Sequence, residues 1–295
     1  MFGLLNLDKP AGLTSRDVVN RVQRLVKPLK VGHAGTLDPL ATGVLVVCLG
    51  QATRLVEYVQ QMPKRYLAKF LLGQLSDTED IEGEVVHLQN PPIPSRAEIQ
   101  DMLPRFLGII QQLPPAYSAL KVQGQRAYDL ARRGIAPDLQ PRPVEIHQIE
   151  LIAYDYPRLE LDIRCGSGTY VRSLGRDIAL ALGNAAVMSQ LERTEIGPFA
   201  VGEGLAVDDL TLEQIQSHLL PATMATSRLP SVGVTGSQSV ALRQGKRISA
   251  TPSSPGDQVA ALDESENLVA ILKPAEGGLF QPVLVFAEVA APAGK

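Results

Sequence analysis

The chain has 295 residues, 45% hydrophobic and 20% charged, with a net charge of −3 at neutral pH. Those proportions exclude a disordered, collagenous or coiled-coil protein. The mild acidity excludes a uniformly basic nucleic-acid coat, so any contact with phosphate must come from local basic clusters such as Lys121/Arg126/Arg132/Arg133. No apolar run reaches the roughly eighteen residues a membrane helix requires. Asp8 and Lys9 come too early for a secretory leader, and Cys48 and Cys165 read as buried thiols, not a disulfide framework. The expectation is a cytoplasmic protein with one large domain and one small one.

In chain order, "GLLNLDK" reads as a first strand. Thr14 and Asp17, at capping-box spacing, open a helix with Val18, Val22, Leu25 and Val26 on one face. The glycine-rich segment "GHAGTLDPLATG" then leads into "VLVVCLG", whose unbroken apolar content predicts a strand covered on both faces. Ala52 to Met62 carries helical spacing at Leu55, Val56 and Val59. "RYLAKFLLG" reads as a strand, the acidic "QLSDTEDIEGE" as a turn, and "VVHL" as that strand's antiparallel partner. Ser95 and Glu98 cap another helix.

The pattern breaks within "IIQQLPPAYSALKVQGQRAYDLARRG". Pro114 and Pro115 stop regular structure, a Gln/Gly segment follows, and Ala127 to Arg133 forms a short basic helix ended by Gly134. This is a candidate excursion from the core. "VEIHQIELIAYD" and "RLELDIRC" are strands around a Tyr-Pro turn, and "CGSGTYVRSLGRDIALALG" passes through glycines into a helix that ends at Gly183. Beyond about residue 220, Pro and small residues give way to short strands that run to Val289, a β-rich appendage after a linker.

Several chemistries fail on spacing. The four histidines, His33, His87, His147 and His218, have no cysteine or carboxylate at ligand spacing, so no metal site is expected. "DTEDIEGE" has Ile81 and Glu82 where a calcium loop needs an acid and a glycine. "GSGTYVRSLG" has Val171 where a dinucleotide loop has its third glycine, and Ser167 lacks the spacing of a nucleophile elbow. Asp38 remains. Pro39 pushes it toward extended geometry, glycines let backbone approach a ligand, and the following strand anchors the loop. These traits suit a positioned carboxylate nucleophile, and equally an Asx-type cap before a Pro-started turn.

Six segments in collinear order resemble the bacterial tRNA pseudouridine-55 synthase family (TruB): "GLLNLDKPAGLTS", "VGHAGTLDPLATGVLVVCLGQATR", "KRYLAKFLLGQLSDTEDIEG", "PPAYSALKVQGQRAYDLARRG", "CGSGTYVRSLGRDIALALG" and "LERTEIGPF". The resemblance implies an α+β fold, a mixed, mainly antiparallel sheet with flanking helices. Residues 1–228 would form the catalytic domain, with an RNA-gripping, thumb-like insertion at about 112–142, and residues 229–295 a small β-rich PUA-like RNA-binding domain. It implies isomerisation of uridine 55 in the T-loop of tRNA by base flipping, with neither cofactor nor metal. The partner would be the tRNA T-arm, with no membrane, no obligate protein partner, and a monomeric enzyme.

By the same resemblance, Asp38 matches the catalytic carboxylate. Tyr66 matches a tyrosine whose ring stacks on uracil and whose hydroxyl helps to move a proton, and Arg172 the arginine that pairs with the acid. Leu191 matches an apolar pocket residue, and His33 a contact to the flipped-out RNA loop. Gly32, Thr36, Arg54, Asp80, Tyr117, Lys121 and Tyr170 are the further substrate-binding positions. Ala34, Ser76 and Arg54 depart from the usual threonine, threonine and lysine but keep approximate size or charge. Two rival readings stay in view: a catalytically silent RNA-binding protein on this scaffold, and a glycosidase pairing Asp38 with Asp77 or Asp80.

Overall fold

The computed structural model describes residues 1–118, 120–122 and 124–287. The end of the expected β pattern, at Val289, lies outside the described residues. Among these residues the frame is a ten-stranded mixed sheet. In chain order it takes in β1 (Gly3–Lys9), β2 (Val31–His33), β3 (Thr42–Leu49) and β4 (Lys64–Leu72). A small hairpin, β5 (Gln74–Leu75) with β6 (Val86–His87), stands apart from it. The sheet resumes at β7 (Gly108–Gln112) and leaves for the excursion, which carries the hairpin β8 (Lys121–Val122) with β9 (Gln125–Arg126). It is completed by β10 (Arg142–Asp155), β11 (Arg158–Cys165), β12 (Ala186–Ile196), β13 (Phe199–Ala200) and β14 (Leu205–Ala206). The strand order is β14-β1-β3-β12-β4-β11-β10-β7, with β2 beside β3 and β13 beside β12. Pairing is antiparallel except between β1 and β14 and between β3 and β12.

Strand β3 is continuously apolar because both its faces are covered. Leu45, Val47 and Leu49 pack with Val18, Val22 and Val26 of helix α1 (Ser15–Val26). Val44, Val46 and Cys48 pack on the other side with Val59 of α2 (Val56–Gln60) and with residues from the C-terminal part of the chain. The capping boxes expected at Thr14/Asp17 and Ser95/Glu98 are present, at the starts of α1 and of α3 (Arg96–Met102). The buried face of α1 is Val18, Val19, Val22 and Val26, while Leu25 lies at its solvent rim.

The second difference concerns "VVHL". Its Val86–His87 pair with Gln74–Leu75 and its Leu88 amide reaches the Gly73 carbonyl at 2.8 Å, whereas β4 lies between β11 and β12, antiparallel to both. A strand with one side buried among long neighbours gains far more ladder than a two-residue return can offer. The acidic turn is held instead by its own side chains: Ser76 Oγ donates to the Asp80 carbonyl at 2.7 Å, and Thr78 Oγ1 to Asp80 Oδ1 at 2.6 Å. "IIQQ" is the edge strand β7, and the excursion leaves from its end. Within the excursion, α4 (Ala127–Arg132) and Gly134, at φ 73°, follow the expected helix and stop. Helix α5 (Val171–Ala181) follows the glycines after β11 and packs Leu174 and Ile178 against the sheet beside Phe70, Leu161 and Ile163.

The C-terminal part forms a separate five-stranded sheet with its own core around Leu242. Its strands are β15 (Ser231–Gly233), β16 (Ile248–Ser249), β17 (Val259–Leu262), β18 (Leu268–Pro274) and β19 (Leu279–Val285). It is docked on the large sheet through the rings of Phe2 and Phe286, stacked at 5.3 Å. Arg54 Nη1 also donates to the Val285 carbonyl at 2.6 Å, and the Tyr58 hydroxyl to Gln258 at 2.8 Å. No helix among the described residues is long and apolar enough to cross a membrane.

Candidate active site

The loop that carries Asp38 is pinned from two sides. From the end of β1, Lys9 Nζ donates to the carbonyls of Pro10, Leu13 and Pro39, and the Gly12 amide reaches the Pro39 carbonyl at 2.8 Å. Ser15 Oγ accepts from the Leu37 amide at 2.8 Å. From β12, Arg193 donates to the carbonyls of Val44 at 2.7 Å and Gly35 at 3.1 Å. Both cations are buried, and burial pushes Lys9 down to about 8. Where the loop enters β3, Gly43 has a φ of 96°, and a Cβ there would stand 2.3 Å from the Arg193 carbonyl, so only glycine fits.

Arg172 is the hub of the site. It lies in the first turn of α5 and is 6% exposed, with a full set of acceptors around its fork. Nε and Nη2 reach the two oxygens of Asp38 at 3.0 and 3.2 Å. Nη1 meets the Thr78 carbonyl at 2.6 Å and Asp80 Oδ2 at 3.3 Å, and Nη2 also donates to the Tyr117 carbonyl at 3.0 Å. Asp38, its side chain 32% exposed, thus has one side against the arginine and the other toward a cleft. Burial pushes the Asp38 carboxyl above its usual range, and Arg172 opposes that push.

The cleft measures about 1110 Å³ and gathers most of the predicted residues: His33, Thr36, Asp38, Tyr66, Asp80, Tyr117, Lys121, Tyr170, Arg172 and Leu191. Tyr66 from β4 and Leu191 from β12 are buried in its floor, and burial also raises the Tyr66 phenol, which stays protonated. The Tyr117 hydroxyl donates to Asp77 at 2.9 Å, and Tyr170 is stacked by Arg142 at 4.9 Å. Asp80 belongs to the cleft but is almost fully buried, its oxygens taken by Thr78, the Glu82 amide and Arg172. Gly32 and Arg54 are not in the cleft. They line an adjoining groove of about 860 Å³ beside the C-terminal sheet, joined to the cleft through Arg16 and His33, which line both. Burial pushes the imidazole of His33 down, which favours its neutral form.

Sequence reasoning missed Lys9, Arg193 and Thr78, while the basic and aromatic excursion expected to grip RNA does stand along the cleft. Arg126 and Arg132 stand over the Tyr128 ring at 5.8 and 5.5 Å, and all three line the cleft. The two buried cations act on backbone carbonyls distant in sequence, for which no local signal exists. The Arg/Tyr run was visible as composition and, through the resemblance, as an RNA-gripping insertion; Tyr128 as the ring between its two arginines was not.

This fold is that of the pseudouridine synthases. The chain superposes over 97% of its length on 86% of a chain from an H/ACA ribonucleoprotein bound to a substrate RNA containing 2′-deoxyuridine, with TM-score 0.74 and 26% identity. A chain of a Cbf5–Nop10–Gar1 complex matches with TM-score 0.73 and 28% identity over 98% of this chain and 84% of that one. The large mixed sheet with its helices and the C-terminal PUA-like β unit are the fold the resemblance led us to expect.

Residues 23–171 match the family model described as TruB family pseudouridylate synthase, N-terminal domain. A tRNA pseudouridine synthase B of Rhodopirellula baltica is 40% identical, across 97% of this chain and 94% of the relative. One of Clostridium tetani is 39% identical, across 84% and 86% respectively. The chain belongs to the TruB family of pseudouridylate synthases.

Proposed function

We propose that Asp38 is the nucleophilic carboxylate with which this enzyme converts uridine 55 of the tRNA T-arm into pseudouridine. The observation that carries the assignment is the Asp38 carboxylate itself, held on two atoms by Arg172 and open to the cleft beside Tyr66 and Leu191. The reaction breaks the bond between N1 and the sugar, turns the base, and joins C5 to the sugar carbon. The C5 hydrogen leaves as a proton and N1 gains one, so the mass is unchanged. An ionised carboxylate can form the covalent intermediate that divides this exchange into two easier steps.

A base inside folded RNA cannot reach Asp38, so the nucleotide is flipped out, at a cost of a few kcal/mol offset by stacking and phosphate contacts. The residues suit that demand. Tyr66 supplies a neutral ring on the floor, Leu191 an apolar wall, and Arg126, Arg132 and Lys121 cations for the backbone. The adjoining groove with Lys30 and Arg54 extends the basic surface toward the C-terminal sheet, which we read as a second RNA contact of a cytoplasmic, monomeric enzyme.

The paired-acid glycosidase reading is disfavoured by Asp80 and Asp77. A general acid must offer an O–H to the substrate, yet Asp80 faces Thr78, the Glu82 amide and Arg172, and Asp77 accepts from Tyr117. The test is a T-arm transcript incubated with the protein and mapped by nucleoside chemistry. Position 55 should become pseudouridine with no change of mass; an unmodified transcript contradicts the reading.

The raised carboxyl of Asp38 gives a second expectation. Only the ionised form attacks, so kcat/KM should fall on the acid side as the carboxyl gains its proton. The midpoint of that limb should lie above the ordinary aspartate value of 3.8. A profile that stays flat down to about pH 4 would contradict it.

A further inference from the structure

Arg193 is the most buried of the cations that line the cleft, at 1% exposure, and its hydrogen-bond acceptors are backbone carbonyls. Nε donates to Val44 at 2.7 Å, Nη2 to Gly35 at 3.1 Å and Nη1 to Thr36 at 3.5 Å, on either side of Asp38 in the chain. Arg172 instead divides its charge between Asp38 and Asp80. A buried guanidinium held by neutral carbonyls keeps its charge available to an anion that forms beside it.

The group beside it is the phenol of Tyr66. Arg193 of β12 and Tyr66 of β4 are opposite partners in an antiparallel ladder, so their side chains share a face, and both line the cleft. The guanidinium stands against the phenol oxygen and favours the ionised phenol, in opposition to burial. The other groups facing the phenol are the Cys165 thiol of β11 and the Asp38 carboxylate, and neither supplies positive charge. Tyr66 therefore rests as a neutral phenol with a cation placed where its oxygen would become negative. Leu191, two residues before Arg193 on β12, walls the same floor.

We propose that Arg193 is a positioning residue for the last proton transfer of the reaction, acting through the Tyr66 hydroxyl, which gives a proton to N1 of the base and takes one from C5. This rests on the RNA-substrate reading above. Once C5 has joined the sugar carbon, the ring holds a double bond between N1 and C6 and still carries the C5 hydrogen. Completing pseudouridine moves a proton from C5 to N1 and the double bond to C5 and C6. A phenol protonated at rest can serve both halves. Its O–H gives a proton to N1, the phenolate takes the proton of C5, and Tyr66 ends as it began, free to exchange with water. Burial opposes the phenolate between the two halves, and the charge of Arg193 offsets that opposition.

Arg193→Lys keeps a cation for the loop carbonyls but loses the planar fork that also reaches the phenol. Arg193→Gln removes the charge and serves as the second variant. With 3,5-difluorotyrosine at position 66 the phenol titrates nearer neutrality and reports through its fluorine signal in the RNA-free protein. Its midpoint should rise in both variants, by about one pH unit in Arg193→Gln. On the T-arm transcript, Tyr66→Phe should lower kcat about 10²-fold, and so should each Arg193 variant, with KM within about three-fold. In the Tyr66→Phe background the same Arg193 substitutions should change kcat by less than about two-fold, because the hydroxyl through which they act is gone. A midpoint that rises in neither variant overturns the contact, and this arm needs no substrate. An equal loss of kcat in both backgrounds overturns the proton role and leaves Arg193 a brace of the Asp38 loop, and so does a Tyr66→Phe protein as fast as the parent. A parent protein inactive on the transcript sinks the substrate reading, a different result from any of these.

Discussion

Asp38→Asn is expected to abolish isomerisation while leaving RNA binding in place. Asparagine has nearly the same shape, and its amide oxygen can still accept from Arg172, so the loop, pinned by Lys9, Ser15 and Arg193, keeps its course. What is lost is the negative charge and with it the nucleophile. Loss of a nucleophile removes about 10⁴-fold or more in turnover. Binding depends on other groups, among them Lys121, Arg126 and Arg132, and removing an anion from the cleft does not weaken attraction for phosphate. Single-turnover assays with filter binding on the same preparation separate the two quantities. Turnover within tenfold of an active parent would remove Asp38 from the mechanism, whereas a parent that binds RNA without turnover would favour the silent RNA-binding reading.

Arg172→Met should damage both activity and stability, for reasons that can be told apart. Asp80, only 3% exposed, would lose its cation, and the carbonyls of Thr78 and Tyr117 would lose a donor. Stranding a buried carboxylate costs about 3–5 kcal/mol, or roughly 10 °C of thermal midpoint in a chain of this size. Asp38 would also lose the group that orients its two oxygens, and loss of such an electrostatic partner lowers kcat by about 10²–10³-fold. Adding Asp80→Asn should recover much of the stability, because the stranded charge is gone, and none of the rate. A double variant that recovers both would show that Arg172 matters only as a support for Asp80.

How much of this was legible in the residues differs by element. Helix α1 announced itself through Thr14 and Asp17, β3 through its two-sided apolar run, and Asp38 through the glycines and Pro39 around it. Each of these signals is local. The partners of β4 were not legible, since a strand's own pattern tells which face is buried but not which distant strand lies beside it. The second carboxylate, Asp80, was expected at the site through the resemblance, but its shared arginine was not. From the motif, Asp38 stood alone, yet folding brings Asp80 to the same arginine. Lys9 and Arg193 look like ordinary surface cations until the fold buries them and gives them carbonyls from the loop. Arg54 and Gly32 flank the same sequence motifs as Asp38, but β2 and the turn after β3 carry them to the neighbouring groove. Sequence proximity to a motif is weak evidence of sharing its cleft.

The central claim is that Asp38 drives re-attachment of the base through carbon, and the fate of the C5 hydrogen tests it most directly. A T-arm transcript carrying tritium at C5 of uridine 55 should release that tritium to water, one equivalent per site, with no free uracil and no strand opening. The Asp38→Asn protein should release none. Tritium retained in the RNA while free uracil accumulates would mean hydrolysis instead of isomerisation, and full release by the Asp38→Asn protein would contradict the account.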